Sequence, residues 1–456
     1  MFDLAVSGGI LVFPGECCRA GEIGIREGRI AAVAEPGALG AARETVEARG
    51  LFVLPGLVDP HIHLGVRAPF DAECATETAG ALAGGVTTVG CFLRSPEPFA
   101  PQLPGLISSV HAHACTDVFF HAALQTDAHL VEVPALASEF GVTSFKIYLF
   151  GVPGLIQSQN DGFLLAGMRA VAALGPRAVL CTHAENAAIC LRAYERLPAT
   201  GGTLRDWADA NPDFSEAEAV RRAAFLASGT GVHLYIVHLT SAAALGELRR
   251  IRRRGEQVSV ETTSAYLTLD VDDPQGPRLK RSPPLRTRAD RDALWNGLMA
   301  GDIDTVGTDN VTNRLANLHT EIGIRRSQGG YAVLPTHLAS MVDEGVCRRG
   351  LPLEQVVEPM TTGPARIFGL HPQKGTLAVG ADADLALVDL DTPRVVEPRT
   401  WPSAGDWSPY EARPLRGWCR IVIRAGRVAA RDGRLVPGAV PGRYLKRSPA
   451  GRVPMI

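Results

Sequence analysis

The feature that most constrains the fold is a series of short runs rich in β-branched residues, which begins at about residue 57. Five of the eight runs end in a polar residue, and the runs are followed by stretches with helical periodicity. Strands that alternate with helices pair in parallel, and eight such units in series predict a (β/α)8 barrel, a TIM barrel of the α/β class. The eight runs are residues 57–63, 86–92, 118–124, 142–149, 178–183, 233–238, 258–262 and 303–309.

One helix between these runs has clear end signals. Ser215 and Glu218 have the spacing of a capping box, which predicts a helix that begins at Ser215. Gly229 follows the last residue of its apolar stripe and can end it.

The two ends of the chain differ from this central region. Residues 1–52 and 376–436 contain alternating apolar and polar runs broken by glycine, which is typical of antiparallel strands. We therefore expect a small β-sandwich domain formed by both termini, with residues 1–52 as its N-terminal part and residues 376–436 as its C-terminal part. Residues 53–375 would form the catalytic barrel, and residues 437–456 an extended arm.

Composition excludes several classes of protein. Lys and Arg total 46 and Asp and Glu total 48, so the net charge of −2 argues against a general nucleic-acid binder. No apolar run approaches the ~18 residues of a membrane span, and Asp3 stands where a signal peptide would carry basic charge. The nine cysteines include no C-x-x-C pair, which predicts reduced thiols. We expect a cytoplasmic protein that has no membrane or nucleic-acid partner.

Metal-type side chains stand at the ends of the predicted strands. His61 and His63 lie two residues apart at the end of the first run, so both imidazoles point to one face of the strand. The fifth, sixth and eighth runs end at or near His183, His238 and Asp309. A single histidine at a strand end is commonly a hydrogen-bonded core residue. Four histidines and an aspartate at the C-terminal ends of barrel strands instead predict a site for zinc or a similar divalent ion.

A second histidine pair provides an internal comparison. His111 and His113 have the same spacing, but their segment is predicted to be the end of a helix, where residues two apart diverge. We expect this pair to bind no metal.

Lys146 is the residue that the apolar pattern does not explain. It lies inside an apolar strand between Phe145 and Ile147, where an unpaired ammonium is costly to bury. Two explanations are open. Lys146 forms an ion pair with a carboxylate, or its amine is neutral and adds carbon dioxide, which gives an anionic carbamate able to bridge two metals. We favour the carbamate because of the metal-type residues at the other strand ends.

The full set of motifs resembles the cyclic amidohydrolases, that is, hydantoinases, dihydropyrimidinases, allantoinases and dihydroorotases. The resemblance covers essentially the whole chain, and its motifs stand in the order VDPHIHLG, SFKIYL, CTHAEN, VHLT, ETTSAYL, SPPLR, GTDN, TTGPARIFGL and KGTLAVGADADLALVD. The late segment SPYEARPLRGW is similar to the hydantoinase and dihydropyrimidinase branch.

The resemblance implies two divalent metal ions per chain, with zinc as the expected metal. By motif, His61, His63 and Asp309 bind the more buried ion, and His183 and His238 bind the other. Lys146, carboxylated by CO2, bridges the two. The implied reaction is attack by a hydroxide held between the ions on a ring carbonyl, with Asp309 as the catalytic acid and base.

Substrate contacts depart from the family pattern. Hydantoinases usually have a tyrosine five residues after the bridging lysine, where this chain has Gly151, and Tyr148 is a candidate substitute on the same strand face. Asn310 replaces the usual histidine after the catalytic aspartate. Dihydroorotases have an arginine two residues after the H-x-H pair, where this chain has Gly65. The substrate-binding candidates are Arg67, Tyr148, Ser282, Asn310 and Gln328.

The sequence thus predicts a binuclear metal-dependent hydrolase that opens a cyclic amide, imide or ureide, of the hydantoinase or dihydropyrimidinase type. Two alternatives remain. One is an allantoinase or a dihydroorotase-like enzyme, and the other is a non-catalytic scaffold, since the family includes the collapsin response mediator proteins. The expected partner is a small cyclic amide or ureide. By analogy with relatives, we also expect a homo-oligomer, a tetramer or a dimer.

Overall fold

A computed structural model describes residues 1–151 and 156–449 of the chain. Its strands fall into a group from the N-terminus, a central series and a group from the C-terminal part. They are β1 (Phe2–Phe13), β2 (Cys17–Arg26), β3 (Arg29–Ala34), β4 (Ala42–Glu47), β5 (Phe52–Pro55), β6 (Leu57–Ile62), β7 (Val86–Leu93), β8 (Asp117–Ala123), β9 (Ser144–Tyr148), β10 (Val179–His183), β11 (His233–Ile236), β12 (Val258–Thr263), β13 (Thr305–Gly307), β14 (Leu385–Asp389), β15 (Arg394–Val395), β16 (Pro414–Leu415), β17 (Trp418–Arg424), β18 (Arg427–Arg431) and β19 (Arg434–Leu435).

The α-helices mostly follow the central strands. They are α1 (Phe70–Ala83), α2 (Leu103–His113), α3 (Asp127–Phe140), α4 (Asp161–Ala172), α5 (Ala187–Tyr194), α6 (Leu204–Ala210), α7 (Asp213–Ser228), α8 (Ala242–Arg252), α9 (Ser264–Thr268), α10 (Arg288–Met299), α11 (His337–Met341), α12 (Leu353–Val357) and α13 (Thr362–Ile367).

Strands β6 to β13 form one eight-stranded parallel sheet in sequence order, which confirms the predicted barrel. The first and last strands approach each other at the C-terminal mouth. There Ile62 and Asn310 form a parallel bridge, and the N–H of His63 donates to the carbonyl of Asn310 over 3.0 Å. The buried Asp59 carboxylate reinforces this closure, because it accepts the Thr308 N–H over 3.1 Å. The strand ends therefore surround a common axis.

The predicted start of α7 is wrong. The helix begins at Asp213, directly after Pro212, whose ring fixes the extended entry of the chain. The Ser215 hydroxyl does not cap the helix, because it accepts the Asn186 N–H over 2.9 Å. Glu218 instead accepts from the Asn186 side-chain amide over 2.7 Å. The capping-box residues thus hold the start of α5 against α7.

The termini form one mixed sheet of nine strands around its own apolar core. Strand β1 pairs in parallel with both β4 and β5, and β5 pairs antiparallel with β14 from the C-terminal part. The sheet thus joins the two ends of the chain and extends to Pro55, beyond residue 52. The domain boundaries themselves stay a prediction.

A buried ionic cluster connects this sheet to the barrel at the end opposite the mouth. Lys374 Nζ lies 2.6 Å from carboxylate oxygens of both Asp117, at the start of β8, and Asp384. Arg424 of β17 donates to Asp117 over 2.8 Å. The three clustered carboxylates of Asp117, Asp382 and Asp384 thus already have a lysine counter-charge, and we assign them a structural role.

The described part of the expected arm, residues 437–449, packs against the barrel near the start of β8. Tyr444 forms a parallel bridge with Val118, and the Arg447 side chain donates to the Phe120 carbonyl over 2.5 Å. Residues 450–456 lie outside the described part of the chain. Among the helices that are described, none is both long and apolar enough to cross a bilayer.

Candidate metal centre

Three predicted ligands converge where the barrel closes. Asp309 Oδ1 lies 3.1 Å from His63 Nε2 and 3.3 Å from His61 Nε2. The ligand atoms of these three residues all lie within 4.8 Å of one another. Both histidines are buried, whereas the Asp309 side chain is 13% exposed, so the carboxylate faces the mouth.

Glu261 fixes the orientation of His61. A carboxylate oxygen of Glu261, on β12, lies 2.7 Å from His61 Nδ1. Burial raises the pKa of Glu261 to about 8. A histidine whose Nδ1–H donates to such a partner presents the lone pair of Nε2, which is the arrangement typical of metal-bound histidine. Glu261 is not among the residues predicted from the sequence, although an acidic residue inside the β-branched run of β12 could have indicated it.

Lys146 lies deep in the same cluster, with only 1% exposure. Its Nζ is 3.2 Å from His61 Nε2 and lies over the rings of Phe92 and Tyr148, at 4.3 and 4.7 Å. Within the described part of the chain, no carboxylate forms an ion pair with Lys146. The described residues therefore do not support an ion pair as the explanation for the burial of Lys146.

His183 and His238 complete the cluster. Their rings lie 4.6 Å apart, and the His238 ring stacks 5.4 Å from that of His61. Glu185 Oε2 lies 2.8 Å from His183 Nε2, which leaves Nδ1 of His183 as the nitrogen for a ligand. His238 Nδ1 is buried, with no hydrogen-bond partner among the described residues. Both rings thus have a nitrogen available to a metal.

The electrostatics of the cluster favour neutral imidazoles and an ionised carboxylate. Burial, then repulsion from Lys146, hold the pKa of His61 well below its usual value, and burial lowers the pKa of His63 to about 4. Burial alone would raise the pKa of Asp309, but its electrostatic interaction with the His61 imidazole, the hydrogen bond from His63 and the charge of Arg281 hold it well below its usual range. Neutral histidine and ionised aspartate are the forms that bind metal.

Two of these residues have strained backbone conformations. Asp309 has φ +50° and His238 has φ +42°, in the left-handed region that non-glycine residues rarely adopt. Such strain concentrates at functional sites, where the surrounding structure holds a side chain in a required position.

The donor set fits a pair of divalent ions such as zinc. Imidazole nitrogens and carboxylate oxygens are zinc ligands, and here they come from four different strand ends. The buried amine of Lys146, which forms no ion pair with any described residue, lies among them. His111 and His113 are exposed at the end of α2 and lie outside this cluster.

Arg281 also contacts this cluster, and it is not among the residues predicted from the sequence. Its Nη2 donates to Asp309 Oδ2 over 2.9 Å, and its guanidinium lies 4.6 Å from the centre of the Tyr266 ring. It stands in the loop before Pro283, and nothing in its local sequence distinguishes it from a solvent-exposed arginine.

The predicted substrate-binding residues fall into two groups. Tyr148 is buried against Lys146, and its hydroxyl has no hydrogen-bond partner in the described ranges. Asn310 is also buried, but its side-chain oxygen accepts the Val333 N–H over 2.9 Å, and its amide nitrogen donates to Thr312 over 3.0 Å. Asn310 therefore holds the loop after β13 in place.

The other three candidates, Arg67, Ser282 and Gln328, are exposed in loops at the mouth. Arg67 Nη2 lies 3.4 Å from the carbonyl of Gly329, which follows Gln328. Ser282 directly follows Arg281. Their role toward a substrate stays a prediction.

Comparisons with known proteins agree with this geometry. Residues 214–428 match the model of the amidohydrolase family. A D-hydantoinase of Ralstonia pickettii is 32% identical over 98% of this chain and 99% of its own length. An allantoinase of Solibacter usitatus is 34% identical over 93% of both chains. The solved L-hydantoinase (dihydropyrimidinase) of Arthrobacter aurescens has a TM-score of 0.91 and 28% identity, covering 98% of this chain and 100% of that one. The chain therefore belongs to the amidohydrolase family, as its motifs predicted.

Proposed function

We propose that this protein is a metal-dependent hydrolase that opens the ring of a cyclic amide, imide or ureide, of the hydantoinase or dihydropyrimidinase type. The observation that carries the proposal is the convergence of His61, His63, His183, His238 and Asp309 around the buried amine of Lys146. Relatives named as hydantoinases over nearly the full length of the chain support the same reaction class.

We further propose how the ligands divide between two divalent ions, most simply zinc. His61, His63 and Asp309 would hold one ion, because their ligand atoms already converge. His183 and His238 would hold the other, since their rings are adjacent. Lys146 lies beside the first group and, as a carbamate, would bridge the two. Its burial supports this modification, because Lys146 has no ion-pair partner among the described residues and a carbamate would replace the cation by an anion ligated to metal.

The groups of the chain supply the remaining parts of the reaction. When bound, a pair of divalent ions activates water as a nucleophile at neutral pH and polarises a carbonyl oxygen. Asp309 faces the mouth as an ionised carboxylate, so it can take the proton of the attacking water and deliver it to the ring nitrogen as the C–N bond breaks. The products are a carboxylate and a free amine or ureido group.

Tyr148 is the candidate donor to the developing oxyanion. Its buried hydroxyl has no partner in the described part of the chain, and its ring lies 5.9 Å from that of His183. A donor held in a water-poor site stabilises charge that appears in the transition state.

A hydrolysis screen tests the proposal. The zinc-loaded protein would be assayed with hydantoin, dihydrouracil, allantoin, dihydroorotate and a cyclic imide, with metal-free protein as the control. We expect metal-dependent opening of hydantoin or dihydrouracil. Preference for allantoin would favour the allantoinase alternative, which the Solibacter relative supports. Absence of hydrolysis in a metal-loaded protein would favour a non-catalytic scaffold.

We also propose a cytoplasmic location. The nine cysteines are all unpaired, including the buried Cys181 and Cys190, as expected in a reducing compartment. The oligomeric state stays a prediction.

A further inference from the structure

The two oxygen atoms of the Asp309 carboxylate have different neighbours. Oδ1 lies 3.3 Å from His61 Nε2 and 3.1 Å from His63 Nε2, where the candidate ligands converge. Oδ2 accepts a hydrogen bond from Nη2 of Arg281 over 2.9 Å. One oxygen thus faces the two histidines, and an arginine holds the other.

Arg281 also contacts the main chain at this point. The same Nη2 donates to the carbonyl oxygen of Thr308, the residue before Asp309, over 3.4 Å. Asp309 has φ +50°, a left-handed conformation that persists only where surrounding contacts hold it. A donor shared between the Thr308 carbonyl and the Asp309 carboxylate fixes the direction of this side chain relative to the end of β13.

Arg281 is itself held in place. Its guanidinium carbon lies 4.6 Å from the centre of the Tyr266 ring and 5.4 Å from that of Tyr331. The indole N–H of Trp207 donates to the Arg281 carbonyl over 2.8 Å, and the ammonium of Lys280 lies 4.2 Å from the centre of the Trp207 ring. Both the backbone and the side chain of Arg281 are therefore fixed by contacts outside the candidate metal centre.

The pair of Arg281 and Asp309 is shielded from solvent. The two side chains are only 5% and 13% exposed, and Asp309 is the only carboxylate among the described residues that forms an ion pair with Arg281. A charge-assisted hydrogen bond in such surroundings is strong, and breaking it leaves a buried charge without a partner. We therefore expect the contact to persist when Oδ1 binds a metal.

We propose that Arg281 is a positioning residue, which retains Oδ2 of Asp309 so that this carboxylate binds metal through Oδ1 alone. This inference rests on the proposed metal-dependent function and specifies how one of its ligands is arranged. An unrestrained carboxylate can bind an ion through both oxygens, which fills a second coordination position. Catalytic zinc sites keep a position open for water or substrate, and Arg281 would preserve it. Oδ2 retains a second lone pair, so the contact leaves Asp309 able to receive a proton.

Cobalt(II) binding tests this role without turnover. Cobalt(II) binds the same nitrogen and oxygen ligands as zinc, and its visible absorption weakens as its coordination number rises. We expect wild type and Arg281→Met each to bind two equivalents of cobalt(II). The absorption per ion should be weaker in Arg281→Met, because Asp309 then binds through both oxygens. Arg281→Lys, which restores a cationic donor, should recover part of the wild-type spectrum.

Steady-state hydrolysis of hydantoin or dihydrouracil, whichever the wild type opens, is the second readout. Arg281→Met should lower kcat about 10- to 100-fold and change KM much less, because Arg281 acts through Asp309. Arg424→Met is the matched control, since it removes a buried arginine that pairs with Asp117 at the opposite end of the barrel. It should lower the free energy of unfolding but keep the wild-type cobalt spectrum and kcat.

Two results would overturn the inference. One is a wild-type cobalt spectrum in folded Arg281→Met, whatever its kcat. The other is a rise in KM at unchanged kcat, because Arg281 would then act on the substrate. Arg281→Gln, which is neutral and shorter, carries the same expectations and replaces Arg281→Met if that variant does not fold. If the wild type binds cobalt(II) but opens no ring, the proposed hydrolysis fails, while the spectra still decide how Asp309 binds.

Discussion

The Nζ atom of Lys146 lies 3.2 Å from Nε2 of His61, and this lysine has no acidic partner in the described part of the chain. An unpaired cation at this depth is costly to bury, and the proposed carbamate would remove that cost. We expect Lys146→Ala to abolish hydrolysis and to remove one of two bound metal equivalents, measured by elemental analysis. Lys446→Ala, at an exposed lysine, is the control and should keep both. Full metal content and activity in Lys146→Ala would show that the lysine is not a bridging group.

Glu261 provides a test of how the ligands are oriented. It contacts His61 Nδ1 through one oxygen and accepts the Tyr235 hydroxyl over 2.9 Å through the other. Glu261→Ala frees the His61 ring and should weaken metal binding about 10- to 100-fold, as measured by chelator competition. Tyr235→Phe leaves the contact with His61 in place, so its effect should be much smaller. Similar affinities in wild type and Glu261→Ala would mean that Glu261 does not orient His61.

Asp309 is expected to act both as a ligand and in proton transfer. Asp309→Asn keeps the shape but removes the charge and the basic oxygen, so we expect kcat to fall by several orders of magnitude. The assay is steady-state hydrolysis at saturating metal, with Asp272→Asn as a surface control. A rate close to that of wild type would assign proton transfer to another residue.

Glu216, which is not a predicted metal ligand, should make the stability of the protein depend on pH. Its carboxylate accepts the Thr240 N–H over 2.8 Å and so holds the loop after His238. Burial raises its pKa from 4.5 to about 7, which means that the folded state retains this proton to higher pH than the unfolded state. The contribution of Glu216 to the free energy of unfolding is therefore fully present below pH 4.5 and falls by about 3 kcal/mol as pH rises through 7.

Urea unfolding of the metal-free protein at pH 5 and pH 8 measures this effect. In Glu216→Gln, which does not titrate, the decrease in stability between these pH values should be smaller than in wild type. The same decrease in both proteins would show that Glu216 has an ordinary pKa.

The barrel, and the candidate ligands that lie together at its mouth, could be predicted from local sequence. In a parallel barrel the C-terminal ends of all strands lie at the same mouth, so polar residues at the ends of different β-branched runs are expected to lie near one another. His183 and Asp309 stand 126 positions apart, yet both were identifiable from their own short segments. The unusual burial of Lys146 could also be predicted from its own segment, because a cation stands there within an apolar strand.

Other features depend on contacts between distant segments. Arg281 is distinguished by its contacts with Asp309 and Tyr266, and its position next to Ser282 predicts neither. Ser215 matched a capping box, but Asn186 from a neighbouring helix provided a competing partner. The Asn310 amide accepts the N–H of Val333, a contact that its own segment does not predict, and its role in substrate binding stays a prediction. Tertiary contacts of this kind override local pattern.

The proposed centre holds two metal ions with Lys146 as a carbamate between them. Anomalous diffraction from crystals grown with zinc and bicarbonate would locate both ions and the modification in one experiment. We expect two peaks, one beside His61, His63 and Asp309 and the other beside His183 and His238, with continuous density for a carboxylated Lys146. An absence of zinc peaks, together with an unmodified lysine amine, would rule this centre out.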